Sequence, residues 1–333
     1  GQPQVVFAVE SHTDMIAKEL GIDPYELRLR NVVRDGQVCA TGARYNNIRG
    51  EETLRAVAEA SKWTSPKSNP FIGKGMSLSQ RPQGQSIYSA KVEMDETGKT
   101  TLHLLVPETG TGSHTVGRQM VAEDLGIPVE EVIAMQMNTD GGTYDSGAGS
   151  GSSVGGTHAA LGAAQGVRRK LTLMAAEFYG WPEENIQFQK GRVFVEGDPE
   201  KGVSLKELAA RTVNALGETI SADISTTSEE PDVTCFSAQV AEVEVDPETG
   251  NVKLRKFVTA HDVGTIHNPI THQGQIDGAV VQGFGYALME ELLADEGQIS
   301  TLSMGDVKSP TIEDIPELET ILVEAPGEIG RAH

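Results

Sequence analysis

Two stretches of this chain run through the same succession of residue types, and that repetition restricts the folds open to it. In the first, alternating runs at Ser89–Met94 and Thr100–Val106 flank Asp95-Glu96-Thr97-Gly98; in the second, Val240–Val245 and Val252–Val258 flank Asp246-Pro247-Glu248-Thr249-Gly250. Alternation on either side of an Asp/Gly turn predicts a β-hairpin. The leading strands end alike, in Val92-Glu93-Met94-Asp95 and Val243-Glu244-Val245-Asp246. Each hairpin leads through a glycine-containing loop into a helical segment, 115–125 in one case and about 273–293 in the other. The expected fold is α+β: two similar α/β lobes with β-hairpins and packed helices. Hairpins with Asp/Gly turns are common, so an accidental likeness is the competing reading.

Ahead of the first hairpin the chain reads as helical. Val6, Val9, Ile16 and Leu20 form one apolar stripe over 4–20, which Gly21 ends. Asp23 is placed to cap a second helix opened by Pro24 and running through Leu29, and Glu51–Ser61 is a third. Ser65-Pro66-Lys67-Ser68-Asn69-Pro70 is the strongest linker signal, and the polar run Ser225–Pro231 marks a second break. These breaks predict a helical segment at 1–72, a first lobe at 73–228 and a second at 229–333, and 333 residues suffice for two lobes with real cores.

Composition narrows the partners. The formal charge is 27 − 48 = −21, which disfavours nucleic acid or an anionic membrane surface. Cys39 and Cys235 are too few for an iron–sulfur cluster or a disulfide framework. No apolar run approaches the roughly 20 residues that span a bilayer. Gly1-Gln2-Pro3-Gln4 lacks the basic start of a signal peptide, so the cytoplasm is the expected compartment.

Glycine is in excess, 37 of 333 residues or about 11% against a usual ~7%, and it is clustered. Glu108-Thr109-Gly110-Thr111-Gly112-Ser113-His114-Thr115 lies between a strand and a helix. Its glycines let backbone N–H groups turn toward an anion beside the positive helix start, with Ser113 as the expected N-cap. It is neither a Gly-x-Gly-x-x-Gly fingerprint nor a Walker loop, and a capped helix with a flexible entry is the alternative. In Asp145–Thr157, ten of thirteen residues are Gly, Ser or Thr, ahead of an alanine-rich helix from Ala159 to Met174. Such a stretch suits close approach to a phosphate or polar heterocycle, with a plain Gly/Ser linker as the alternative.

The third cluster is His261-Asp262-Val263-Gly264 with His267-Asn268-Pro269, continuing through His272 and Gln275 to Asp277-Gly278. The spacing matches no standard zinc pattern, so turn residues are preferred to metal ligands. Gln275 is expected on the first turn of a long helix whose Gly278, Gly283 and Gly285 permit close packing. No nucleophile stands out: Ser79, Ser113 and Ser152 lack a Gly-x-Ser-x-Gly setting, and His114 and His158 merely have a serine nearby.

Taken together, the stretches resemble the molybdopterin-binding subunit of the xanthine dehydrogenase/aldehyde oxidoreductase family of molybdenum hydroxylases. Gly1-Gln2-Pro3-Gln4 through Glu10, with Asp23-Pro24-Tyr25-Glu26-Leu27-Arg28-Leu29-Arg30-Asn31, is similar to that family's opening signature. Gly110–Thr115 is similar to its GQG/GTG loop and Ser146–Ser153 to its Gly/Ser pterin loop. His261-Asp262-Val263-Gly264, Asn268-Pro269 and Gly274-Gln275-Ile276-Asp277-Gly278 through Gly283 follow its HDVG and GQIEGG motifs.

The resemblance implies molybdenum held by molybdopterin or molybdopterin cytosine dinucleotide. It implies hydroxylation of an aldehyde or N-heterocycle using water, with electrons passing to 2Fe-2S clusters and FAD on partner chains or domains. The cofactor-contacting positions it carries over are Thr111, Gly112, Ser113, Ser150, Gly151, Ser152, Ser153 and Gln275. Gln80 and Arg81 fall near a substrate-facing strand of the family. Thr111 stands where many relatives have Gln, and its hydroxyl is shorter than an amide.

The family's catalytic glutamate, in a Gly-x-Gly-Glu motif, would follow Val323-Glu324-Ala325-Pro326 beyond His333, and its Arg-Gly-Phe loop would precede Gly1. Glu324 and Glu328 lack that glycine setting. No catalytic residue and no metal ligand is therefore assigned in this chain. The expectation is a fragment or one piece of a split subunit, completed by the remaining molybdopterin-binding polypeptide and by iron–sulfur and FAD subunits. A cofactor-free structural or assembly fragment is the alternative, and an unrelated nucleotide-binding protein is a third reading, disfavoured for want of a phosphate-binding Lys.

Overall fold

The computed structural model describes residues 2–40, 42, 44–66, 68–82, 86–136, 138, 147–227 and 234–324. In chain order the elements are α1 (Gln2–Leu20), α2 (Pro24–Asn31), α3 (Gly50–Ala60), β1 (Ile72–Pro82), β2 (Ile87–Met94), β3 (Thr100–Leu104), α4 (Ser113–Leu125), β4 (Val132–Gln136) and α5 (Thr157–Tyr179). There follow β5 (Ile186–Gln189), β6 (Arg192–Val195), β7 (Asp198–Ser204), α6 (Leu205–Leu216), β8 (Ile220–Thr227), β9 (Thr234–Val245), β10 (Val252–Val263) and α7 (Pro269–Leu288). The last are β11 (Ala294–Asp295), β12 (Gln298–Ile299), α8 (Met304–Val307) and β13 (Glu317–Glu324).

The described residues form two compact units, one drawn from Gly1–Pro82 and Asp232–Arg331, the other from Gln83–Pro231. This differs from the division expected at 72 and 228. Strand β1, expected in the first lobe, pairs antiparallel with β9 from Ile72↔Glu244 to Pro82↔Thr234, so residues 1–72 share a unit with the C-terminal segment. Residues 228–231 of the expected second break lie outside the described residues.

In the discontinuous unit the sheet order is β1-β9-β10-β13, with β10 and β13 parallel. Hairpin β9–β10 turns where expected, Asp246 Oδ1 accepting from the N–H of Glu248 and Thr249 at 2.8 and 3.2 Å. Leu54 and Val57 of α3 pack on Met76, Ala238, Val240, Val258 and Ala260. Asp23 caps α2 as expected, accepting from Tyr25 and Glu26 N–H. The apolar stripe expected to seat α1 does not do so: Val9, Ile16 and Leu20 are exposed, and Ala17 is the buried residue of that helix. Instead Arg28, buried on α2, reaches Glu10 Oε2 at 2.8 Å and Asp14 Oδ1 at 2.7 Å on α1, while Glu10 Oε2 also accepts from Leu78 N–H at 2.7 Å.

In the contiguous unit the order is β4-β3-β2-β8, with β3 and β4 parallel and the other pairs antiparallel. The predicted β2–β3 hairpin closes on Asp95, whose Oδ1 accepts from Thr97 N–H at 2.9 Å and Lys99 N–H at 3.1 Å. Tyr88, Ala90, Val92 and Met94 of β2 bury against Ala160, Ala163, Ala164, Val167 and Leu171 of α5. Gly166 lets that helix approach β8 so closely that a Cβ would stand 2.6 Å from Ala222 Cβ. A second sheet, β5-β6-β7, belongs to the same unit.

The two-lobe expectation holds at the level of topology. Each sheet contains a hairpin, then a helix, then a strand parallel to the hairpin's second strand: β9-β10-α7-β13 and β2-β3-α4-β4. Each also has an antiparallel edge strand reached from a helix, α3 to β1 before the hairpin in one unit and α6 to β8 after it in the other, where α5 packs on β8.

Candidate functional site

Between β3 and α4, Gly110 and Gly112 take φ of 92° and 81°, a left-handed backbone that glycine adopts without a Cβ clash. The turn sends the N–H groups of Gly110 and Gly112 to Glu108 Oε1 at 2.8 and 3.1 Å. His114 N–H donates to Glu108 Oε2 at 3.0 Å, joined by the Ser113 hydroxyl at 3.3 Å. The N–H groups do turn toward an anion, and the anion is the chain's own carboxylate. Ser113, expected as the N-cap, is instead the first residue of α4; the cap position falls on Gly112, which has no side chain to offer. Glu108 takes over that role from outside the helix.

Partial desolvation is the largest single influence on Glu108 and works to raise its pKa. The N–H groups of His114, Gly112 and Gly110, with the His114 imidazole nearby, together outweigh it, so the carboxyl titrates below the usual glutamate range. The Thr111 hydroxyl is buried with no hydrogen-bond partner among the described residues.

The Gly/Ser stretch is described from Gly147 onward; Asp145 and Ser146, where it was expected to begin, lie outside the described residues. Gly147, Gly149 and Ser150 have φ of 75°, 65° and 62°. Ser150 has a Cβ, so it bears the steric cost that glycine avoids, a kind of strain that clusters at functional sites. Ser152–Gly156 then forms a single π-helical turn running into α5, another feature frequent at such sites. Ser150, Ser152 and Ser153 are half-buried here.

The small residues of this turn have an internal cause as well. A Cβ on Gly155 would overlap the Tyr88 ring, and one on Gly151 would overlap the Tyr88 hydroxyl and lie 3.2 Å from Cε1. The bareness at these two positions makes room for Tyr88, a fully buried side chain of β2.

The fold brings the two glycine-rich loops together. The Cβ position of Gly156 lies 3.3 Å from Val106 Cγ2, and that of Gly147 lies 3.8 Å from Pro107 Cδ. The π turn also packs against α4. Thr111, Gly112 and Ser113 therefore share a neighbourhood with Ser150–Ser153, at the end of the sheet where β3 finishes and β2 begins. Its polar lining is rich in hydroxyls, suited to a polar molecule, with the Thr111 hydroxyl, partnerless among the described residues, the group such a molecule would satisfy.

Gln275 belongs to the other unit. Asn268 caps α7 through the N–H groups of Ile270 and Thr271, so the helix begins at Pro269 and Gln275 falls on its second turn, not the first as expected. Gln275 is exposed, and Gly274, Gly278 and Gly283 on the same helix have nothing within 4 Å of a Cβ. Gly285 differs, since a Cβ there would meet Glu290 and Pro310.

Other residues singled out from the sequence have local structural partners. Asp262 is wholly buried and its Oδ2 accepts from Arg49 N–H at 2.8 Å, anchoring the start of α3. His261 Nε2 lies 2.9 Å from Thr259 Oγ1. Among the described residues no group of three or more His, Cys, Asp or Glu is arranged to hold a metal ion. Gln80 Oε1 accepts from the Tyr45 hydroxyl, and Arg81 donates to Gln2 Oε1. Glu324 is the exposed last residue of β13, and Glu328 lies outside the described residues. No described helix is long and apolar enough to cross a membrane.

Glu108 and Tyr88 were not anticipated as parts of this neighbourhood. The signal for Glu108 was present, a carboxylate two residues ahead of Gly-x-Gly at a helix start. Tyr88 gave none, because its place depends on packing between β2 and the turn before α5.

Residues 46–316 match the family described as molybdopterin cofactor-binding domain, and residues 1–32 match a second domain family of the same description. The xanthine dehydrogenase molybdenum-binding subunit of Escherichia coli O157:H7 is 34% identical over 97% of this chain and 46% of its own length. The nicotine 6-hydroxylase large subunit of Paenarthrobacter nicotinovorans is 30% identical over 96% of this chain and 43% of its own. The chain thus spans about half the length of the curated relatives it matches. Quinoline 2-oxidoreductase from Pseudomonas putida 86 superposes with a TM-score of 0.84 at 26% identity, over 98% of this chain and 46% of that structure.

Proposed function

Since the chain belongs to the molybdopterin cofactor-binding domain family, we propose that it is the molybdenum-cofactor-binding part of an oxidoreductase that hydroxylates an aldehyde or N-heterocycle with oxygen from water. The observation that carries the reading is the family match over 46–316 combined with the meeting of two glycine-rich loops, one bearing a strained serine and the other a buried hydroxyl without a partner among the described residues. Thr111, Gly112, Ser113, Ser150, Gly151, Ser152 and Ser153 would line the cofactor, with the serine and threonine hydroxyls as its polar contacts and Gln275 as a further contact. When bound, molybdopterin or its cytosine dinucleotide supplies the two-electron redox chemistry; the protein binds and orients it.

Partner polypeptides complete the proposal: the rest of the molybdopterin-binding subunit, and chains or domains carrying 2Fe-2S clusters and FAD, in the cytoplasm. The surface supports a polypeptide partner. Phe7 and Met15 on α1 are 77% and 67% exposed, and Leu302 and Ile312 beyond α7 are 83% and 87% exposed. A chain that leaves such side chains in water presents surface suited to burial by another polypeptide.

Metal analysis of the enzyme with all its chains tests the reading. Stoichiometric molybdenum and pterin are expected, together with loss of bound cofactor in Ser153→Ala combined with Thr111→Val. Two observations favour a second reading, a cofactor-free assembly module: Glu108 occupies its own loop, and Tyr88 accounts for the bareness of Gly151 and Gly155. A complete enzyme without molybdenum would establish that alternative.

A further inference from the structure

The start of α4 is the part of the contiguous unit most suited to attract an external anion, because helix N-termini carry partial positive charge and unengaged N–H groups. Here the N–H groups of Gly110, Gly112 and His114 and the hydroxyl of Ser113 all donate to one side chain, Glu108. The two left-handed glycines that aim these N–H groups flank Thr111 on either side. The carboxylate therefore fixes both neighbours of the one buried hydroxyl in the loop that lacks a partner among the described residues.

We propose that Glu108 is a positioning residue: its carboxylate fills the anion-binding start of α4, locks the Gly110–Gly112 turn, and so presents the uncharged Thr111 hydroxyl to the cofactor. The proposal rests on the cofactor-binding role given to this loop above. It adds that no phosphate of the cofactor is held at the start of α4; the contact made there is a hydrogen bond from or to a neutral group. Glu108 is an exposed residue, so a small carboxylate from solvent can take its place once the side chain is removed.

The test uses the purified enzyme with all the chains that accompany it. Glu108→Ala, Glu108→Gln and Thr111→Val are compared with wild type for bound molybdenum and pterin, for Mo(V) electron paramagnetic resonance line shape, and for binding of isotope-labelled formate by NMR. Glu108→Ala is expected to retain cofactor roughly fivefold less tightly, the size of a lost helix cap. It should bind formate where wild type does not, and formate should restore both cofactor retention and line shape, a rescue that loss of packing would not show. Glu108→Gln keeps one acceptor oxygen and falls between.

A Glu108→Ala enzyme that assembles and equals wild type in cofactor, line shape and formate binding overturns the proposal. So does a loss of cofactor that formate leaves unrepaired in an assembled enzyme. Should Glu108→Ala fail to assemble, Glu108→Gln decides on the same readouts, and equality with wild type is again fatal. Thr111→Val separates the two levels: if it alters the line shape while Glu108→Ala does not, the cofactor role of the loop stands and the positioning role falls. Wild-type enzyme without molybdenum removes both.

Discussion

The ring of Tyr88 occupies the space that any side chain on Gly155 would need. Replacing that glycine by alanine would drive a methyl group into Cγ, Cδ2 and Cε2 of a residue that is itself fully buried. Because the clash falls on a buried ring, Gly155→Ala is expected to cost at least ~2 kcal/mol, in the range of core overpacking. Urea unfolding checks it, and an unchanged midpoint would contradict the packing described. Tyr88→Leu should soften the penalty in the double variant, because the two residues are coupled.

Arg28 is expected to hold α1 in place. Its guanidinium is buried between Glu10 and Asp14, and Glu10 is itself largely buried. Arg28→Met leaves the Glu10 carboxylate with Leu78 N–H as its remaining partner among the described residues and should cost about 3 kcal/mol. Amide hydrogen exchange across Gln2–Leu20 should accelerate relative to α3. Equal protection in variant and wild type would show that α1 is held by something else.

Asp262 carries a prediction about type of loss. With its carboxylate buried against Arg49 N–H, Asp262→Ala strands a donor at the entry to α3 and should cost about 1–3 kcal/mol. Asp262→Asn keeps an acceptor oxygen and should lose less. Thermal melts of the two variants decide: an asparagine no better than alanine would mean that the charge, not the acceptor, matters.

The two hairpin turns share a pH signature. Hydrogen bonding by the Thr97 hydroxyl, chiefly, holds Asp95 below its ordinary value of 3.8, and the N–H groups of Glu248 and Thr249 do the same for Asp246. Folded values lowered in this way give stabilisation that is fully present above the unfolded value and lost as pH falls through the folded one. Asp95→Asn should therefore weaken the protein at neutral pH yet match wild type well below about pH 4. NMR titration of the two carboxyls should give midpoints below 3.8. A midpoint above that value would reverse the sign.

What could be read from the sequence was the chemistry that closes over a few residues. Asp95 to Gly98, Asp246 to Gly250 and Asp23-Pro24 are turns and caps whose partners lie within four positions, and all three are found as read. What could not be read depends on distant partners. The pairing of Ile72 with Glu244 joins strands far apart in sequence, and alternation alone names no partner. The stripe on α1 has helical period but stays largely exposed, and Arg28 ties that helix to α2 through Glu10 and Asp14. At the candidate site, the glycines and serines were legible as a loop, but Glu108 as its anion and Tyr88 as its floor were not, because each acts across a turn or a sheet.

The interleaving of the two units imposes an order on synthesis. Residues 83–231 are continuous and can close their sheet while later codons are still being read. The edge strand ending at Pro82 must wait, unpaired, until the strand beginning at Thr234 emerges to receive it. That delay leaves a strand edge exposed on the nascent chain for the making of some 150 residues, the interval in which a chaperone would find its purchase.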